Sequence, residues 1–137
     1  MEKHNLYLVT LLVPLIGVLG ASYIQRRNAR RAAGQKLIEA FNKVLIVLDP
    51  NNGEKNLNVD SLLRASFDDL NNAIGNFQHH LFWWEKKGFN KAWVTYYGDG
   101  DDRCQNYLQY MAFNSNPDAL EIFRNNVNAI LKFANQK

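Results

Sequence analysis

Hydrophobic residues follow two regimes along the chain. From Leu6 to Ile24 they form one block of nineteen residues, LYLVTLLVPLIGVLGASYI, without an acid, a base or a histidine. As a helix that block is about 28 Å long, close to the thickness of a bilayer's hydrocarbon core. Backbone polar groups in lipid must bond internally, which favours a helix despite Pro14, Gly17 and Gly20. Pro14 is expected to add a modest kink. Tyr7 and Tyr23 stand near the two ends, where an amphipathic ring keeps its hydroxyl among the headgroups.

Beyond Arg31 the pattern becomes periodic. Leu37, Ile38, Phe41, Val44, Leu45 and Leu48 recur every three or four residues, as on an amphipathic helix that Pro50 and Asn51-Asn52-Gly53 end. Asp60 is a candidate N-cap for the next helix, in which Leu63, Phe67, Leu70, Ile74, Phe77 and Leu81 repeat at 4-3-4-3-4 spacing. Gly88 and Gly98 bracket a shorter segment that places Phe89, Trp93, Tyr96 and Tyr97 on a shared face. Residues 99 to 114 fit neither the helical nor the strand period. In the last segment Ser115 and Asp118 match a capping pattern, Pro117 suits a first turn, and Leu120, Phe123, Val127, Leu131 and Ala134 form the expected buried face.

These elements predict an all-α protein, one N-terminal transmembrane helix followed by a bundle of three to four helices. The division expected is a transmembrane anchor at 1–25, a basic juxtamembrane segment at 26–36 and a helical cytoplasmic domain at 37–137. With 137 residues the chain has room for one such core.

Charge supplies an orientation. The net +3 conceals a segment of +5 between residues 26 and 36, carried by Arg26, Arg27, Arg30, Arg31 and Lys36, against −2 for residues 37 to 137. Lys3 is the only Lys or Arg before the apolar block, so the positive-inside rule places the C-terminal domain in the cytoplasm, in a single-pass arrangement. A cleaved signal peptide ending near Val18-Leu19-Gly20, leaving a periplasmic domain, is the competing reading; a basic cluster directly after the cleavage site opposes translocation. The pI near 9 comes from this cluster and does not indicate nucleic-acid binding, which would need the charge on the folded surface. The same cluster could meet anionic headgroups.

Candidate chemistry is sparse. Cys104 stands alone, which excludes an intramolecular disulfide. His79-His80 are adjacent, so on a helix they diverge and are poorly placed as metal ligands. Asp99, Asp101 and Asp102 are a candidate cation cluster, without the ordered ligands of a calcium loop. Asp49 to Asp60 resembles an EF-hand in length, with its glycine misplaced by one position. No phosphate-cradling loop, H-E-x-x-H, C-x-x-C or G-x-S-x-G occurs. No cofactor, metal ligand or catalytic residue is assigned on this basis.

Aromatic residues are the more informative group, because eight of seventeen lie between Phe77 and Tyr97. Packing accounts for Phe77, Phe89 and Trp93. Trp83 and Trp84 are neighbours about 100° apart on a helix and cannot both face inward, so one is expected at the surface. With Lys86 and Lys87 they form a candidate contact for lipid or a partner. Gly17 and Ala21 make a small-x-x-x-small pair through which two membrane helices could approach.

The run Ala73-x-x-x-Phe77, then Phe89-x-x-Ala92-Trp93-x-x-x-Tyr97, Asn116-Pro117, and Phe123-x-x-Asn126-Val127 ending in Leu131-Lys132-Phe133-Ala134 resembles a group of uncharacterised bacterial small proteins. Those proteins also begin with an apolar segment followed by a helical, aromatic-rich domain. The resemblance implies a shared fold and a bacterial inner-membrane setting, and no activity.

The function expected is therefore a noncatalytic interaction module tethered to a membrane, with lipid and a membrane protein or a second copy as partners. A small metal-dependent hydrolase using Asp99, Asp101, Asp102 or His80 is the alternative.

Overall fold

In the computed structural model the apolar block and the first amphipathic segment belong to one helix, α1 (Glu2–Val47). The residues described are 2–49, 58–98, 107, 110 and 117–135, with side chains from residue 17 onward and, in the last segment, from residue 118. At 46 residues α1 is about 69 Å long. It passes through residues 26 to 36 without interruption, so the boundary drawn at residue 37 is not a break in the helix. Every side chain from Gly17 to Ala29 is exposed, and burial begins at Arg30, Ala33 and Gly34. The second half of α1 is thus a bundle helix and the first half projects from it. Among the described residues no helix is long and apolar enough to cross a membrane; the side chains of residues 6 to 16, most of the apolar block, lie outside them.

Three further helices complete the described fold: α2 (Val59–Gln78), α3 (Trp83–Tyr97) and α4 (Pro117–Ala134). All the described elements are helical, as the spacing predicts. Leu37, Phe41, Val44 and Leu48 of α1 are buried at the expected 4-3-4 spacing, with Ile38 and Leu45 at the flank. On α2, Leu63, Leu70, Ile74 and Phe77 are buried and Phe67 is half-buried. The helix stops at Gln78, so Leu81 reaches the core from the following turn.

Cross-helix contacts fix the directions. Arg30 meets Glu85 and Phe41 meets Tyr96, both 55 residues apart, so α3 runs parallel to α1. Phe77 packs on Phe89 and Phe67 on Trp93, which makes α2 antiparallel to α3. Phe89 meets Phe133 and Tyr96 meets Phe123, so α4 is antiparallel to α3 as well. The result is an up-down-up-down bundle, the arrangement that short connections favour. One end of it gathers Gly34, the α2–α3 turn and the C-terminus of α4. The free half of α1 leaves from this end.

Local structure departs from the sequence reading at three places. The N-cap of α2 is Asn58, not Asp60: Asn58 has extended φ and ψ of −80° and 94°, and its Oδ1 accepts from the Ser61 N–H at 3.1 Å. Asp60 lies in the first turn and pairs instead with Arg64 at 2.8 Å. Gly88 is interior to α3 and does not begin it; a Cβ there would lie 3.3 Å from Phe133 Cζ, so the glycine makes room for that ring. Gly98 does end the helix, with φ of 94°, a conformation L side chains rarely adopt.

The third departure is the buried face of α4, which consists of Ala119, Phe123, Val127, Ile130 and Phe133. Leu120, Leu131 and Ala134 are half-buried. Phe133 turns inward because the hollow at Gly88 accepts its ring, edge-on to Phe89 at 5.5 Å. Ser115, the Asn51-Asn52-Gly53 turn and most of residues 99 to 114 lie outside the described residues. Tyr107 and Tyr110 are helical and buried against Tyr96.

Candidate functional site

The end of the bundle from which the free half of α1 departs carries the most exposed aromatic side chains among the described residues of the bundle. Leu81 leaves the turn for the core, and the chain then enters α3 through Phe82, Trp83 and Trp84. These three are 53%, 80% and 58% exposed. Both tryptophans are therefore at the surface, where the sequence reading places only one. They occupy the first turn of α3, and the inward-facing positions fall later, at Phe89, Trp93 and Tyr96.

The exposed rings are ordered among themselves. Phe82 stacks on Trp84 with centroids 4.5 Å apart and planes 4° from parallel, and Trp83 meets Trp84 edge-on at 5.6 Å. The Arg30 guanidinium lies 5.7 Å from the Phe82 centroid, within cation–π range. Together they make a small aromatic knuckle braced against α1.

Glu85 holds the knuckle in place. As the third residue of α3 it accepts from the Phe82 N–H at 2.9 Å, satisfying a backbone donor at the helix start. The reciprocal half of a capping box is missing because phenylalanine has no side-chain acceptor. The same carboxylate receives both ends of Arg30, at 2.7 Å and 3.0 Å, in the bidentate geometry that suits a guanidinium. Burial raises the Glu85 pKa, but the hydrogen bonds from Arg30 and Phe82 and the Arg30 charge outweigh it, leaving the carboxyl below its ordinary value. Arg30 also approaches the Phe133 carbonyl at 3.5 Å.

Within the basic cluster Arg26, Arg27 and Arg31 are exposed, whereas Arg30 links α1 to the start of α3 and the end of α4. Sequence could not have found the pair across 55 residues. The available signal was local: Glu85, three residues after Phe82 at a helix start, marks a capping acid.

Other candidates are dispersed. Lys87 is exposed and Lys86 half-buried. Gly17, Ala21 and Ile24 lie on the projecting part of α1, and a Cβ at Gly17 would meet nothing within 4 Å. Leu6 and Pro14 are in the same helix, with side chains outside the described residues. His79 and His80 are exposed in the α2–α3 turn. Asp99, Asp101, Asp102 and Cys104 lie outside the described residues. Among those described, no three His, Cys, Asp or Glu side chains gather as a metal site would require.

Two further polar features have structural explanations. An open groove of about 410 Å³ runs between α1 and α2, lined by Lys36, Glu39, Lys43, Ser66, Asp69 and Asn76 among others. Its one hydroxyl, on Ser66, donates to the Leu62 carbonyl of its own helix at 2.8 Å. In the core, the Tyr110 hydroxyl donates to the Tyr96 carbonyl at 3.1 Å and accepts from Asn126 at 2.7 Å. Burial raises the Tyr96 and Tyr110 pKa values, so both hydroxyls stay neutral near neutral pH. Neither feature provides a nucleophile with an adjacent base.

No family model, curated protein or solved structure matches the chain.

Proposed function

We propose that this protein is a noncatalytic, membrane-tethered interaction module, a single-pass chain of a bacterial inner membrane whose bundle stands on the cytoplasmic side. The observation that carries the reading is α1: one unbroken helix joins the uncharged block at Leu6–Ile24 to the bundle, and residues 17 to 29 of it are covered by nothing. Val18, Leu19, Tyr23 and Ile24 are each more than half exposed. Apolar side chains around all faces of a projecting helix lose their hydrophobic stabilisation in water and regain it in lipid. Arg26 and Arg27 immediately follow, which supports the orientation.

A stiff helical link has a functional consequence. It holds the bundle at a fixed height above the bilayer and concentrates it near membrane partners in two dimensions. Partners in keeping with this placement are a membrane protein or a second copy, whose helix could pack along Gly17 and Ala21.

The test is extraction and crosslinking of the full chain in native membranes. The protein should resist alkaline carbonate, retain its N-terminal residues, and crosslink to one dominant membrane partner or to itself. Release into the soluble fraction, or a mature chain beginning near Ala21, would remove the tether. A retained but strictly monomeric and partnerless protein would refute the interaction role.

A further inference from the structure

We infer that Phe82, Trp83 and Trp84 seat in the headgroup layer of the bilayer that α1 enters, so that the bundle contacts the membrane at a second point beside its helix. This inference rests on the tether reading above and adds a lipid-binding surface to it.

Register along α1 is the first argument. Arg30 follows Ile24 by six residues, a rise of about 9 Å. The polar layer outside the hydrocarbon core is roughly 5 to 8 Å thick on each side. Arg30 therefore lies just outside this layer, and through Glu85 and the Phe82 ring it holds the base of the knuckle there. Because α3 runs parallel to α1, its N-terminus faces the apolar block. Side chains on a helix lean toward its N-terminus, so Trp83 and Trp84 lean toward the membrane side.

Chemistry is the second argument. Tryptophan combines an apolar body with one N–H donor, which suits a layer apolar on one side and wet on the other. Three adjacent aromatics more than half exposed are unlike the rest of the described bundle, where Phe41, Phe77, Phe89 and Phe123 are fully buried.

Charge is the third. Exposed Arg26, Arg27 and Arg31 surround the exit of α1, and Lys87 follows the knuckle. The described acid on this end, Glu85, is neutralised by Arg30. His79 and His80 share the turn and bring no negative charge. The next described acid along α1, Glu39, lies nine residues beyond Arg30, about 13 Å further from the bilayer. The surface is thus apolar and cationic, complementary to anionic headgroups.

The experiment uses the full chain reconstituted in phosphatidylcholine–phosphatidylglycerol vesicles, with bromine on the acyl chains either just below the headgroups or near the bilayer centre. Trp93, buried in the core, is the internal reference. Single Trp→Phe variants assign the emission. Shallow bromine should quench Trp83 and Trp84 roughly twofold more strongly than Trp93, and more than deep bromine does. In Trp83→Ser/Trp84→Ser the quenchable emission should vanish while helicity and flotation with the vesicles persist. Flotation with Trp83 and Trp84 unquenched overturns the lipid seat and leaves the tether standing. The same is true if they are unquenched, blue-shifted and crosslinked between copies, which assigns the surface to a second chain. Failure of the full chain to float overturns tether and seat together.

Discussion

The Arg30–Glu85 pair is the contact on which the position of the aromatic knuckle depends, and its removal has a calculable cost. Arg30→Met and Glu85→Met each retain a side chain of similar length without charge. The pair's side chains are 18% and 11% exposed, so it lies between an exposed ion pair, worth about 0 to 1 kcal/mol, and a buried one, where loss of one partner costs about 3 to 5 kcal/mol. Glu85→Met also strands the Phe82 N–H and leaves the guanidinium unpaired, which sets its cost at about 2 to 3 kcal/mol. Arg30→Met should cost somewhat less, since Glu85 keeps its backbone donor. The double variant replaces an ion pair by two apolar side chains and should be closer to wild type than the sum of the singles, with coupling of about 1 to 2 kcal/mol. Urea unfolding of the full chain in micelles, followed by circular dichroism, measures all four proteins. A pH series adds a second readout. Because the folded Glu85 pKa is depressed, its contribution is fully present above the ordinary value of 4.5 and is lost as pH falls through the lowered one. Glu85→Met should lack that acid-side decline. Single variants within about 0.5 kcal/mol of wild type, the usual size of a surface effect, with zero coupling, would refute the reasoning.

Other predictions concern the core and its glycines. Phe41→Ala, at a fully buried ring edge-on to Tyr96, should cost about 3 to 5 kcal/mol in the same unfolding assay, whereas Trp83→Ser should stay within about 0.5 kcal/mol. Gly75→Ala, where a Cβ would meet nothing within 4 Å, should raise stability by about 0.5 to 1 kcal/mol. Gly88→Ala should not share that gain, because its Cβ would press on Phe133 at 3.3 Å; equal thermal shifts for the two would contradict the packing. At high pH the folded state holds the Tyr96 and Tyr110 protons more tightly than the unfolded chain. Their burial, reinforced at Tyr96 by Tyr107 and Tyr110 and opposed at Tyr110 by Asn126, raises both above 10.0. The associated stability is therefore present below pH 10.0 and falls as pH rises above it. Ultraviolet titration should show these two hydroxyls ionising with unfolding and not before.

The parts of the fold legible in the sequence are those set by periodicity. The 4-3 spacings of α1 and α2 locate their buried faces because a helix buries one stripe, and the residue types on that stripe are apolar. The same logic fails at the end of α4, where both Ile130-Phe133 and Leu131-Ala134 are acceptable stripes. The choice is made by Gly88, a residue on another helix. Asp60 and Asn58 are both good caps by type, and only the backbone geometry at Asn58 decides between them. At the candidate site, the exposed tryptophans are visible as a composition anomaly, but their position beside the exit of α1 depends on an ion pair across 55 residues. Neither the local pattern nor the charge count contains that pairing. Within the basic cluster the sequence gives four equivalent arginines; the parallel register of α1 and α3 singles out Arg30.

The most direct test of the account is a depth profile along the projecting half of α1. Single cysteines placed in turn at residues 17 to 29, with Cys104 replaced by Ser, carry a spin label in the full chain reconstituted in bilayers. Collision rates with a lipid-soluble and a water-soluble relaxant are then compared at each position. The account predicts lipid-dominated collisions on every face of the helix through Ile24, a crossover at Gln25 to Arg27, and water-dominated collisions at the exposed positions beyond. Water-dominated collisions at residues 18, 19, 23 and 24 would contradict it by placing that stretch of the helix in water, and weak collisions with both relaxants would contradict it by placing the stretch under protein.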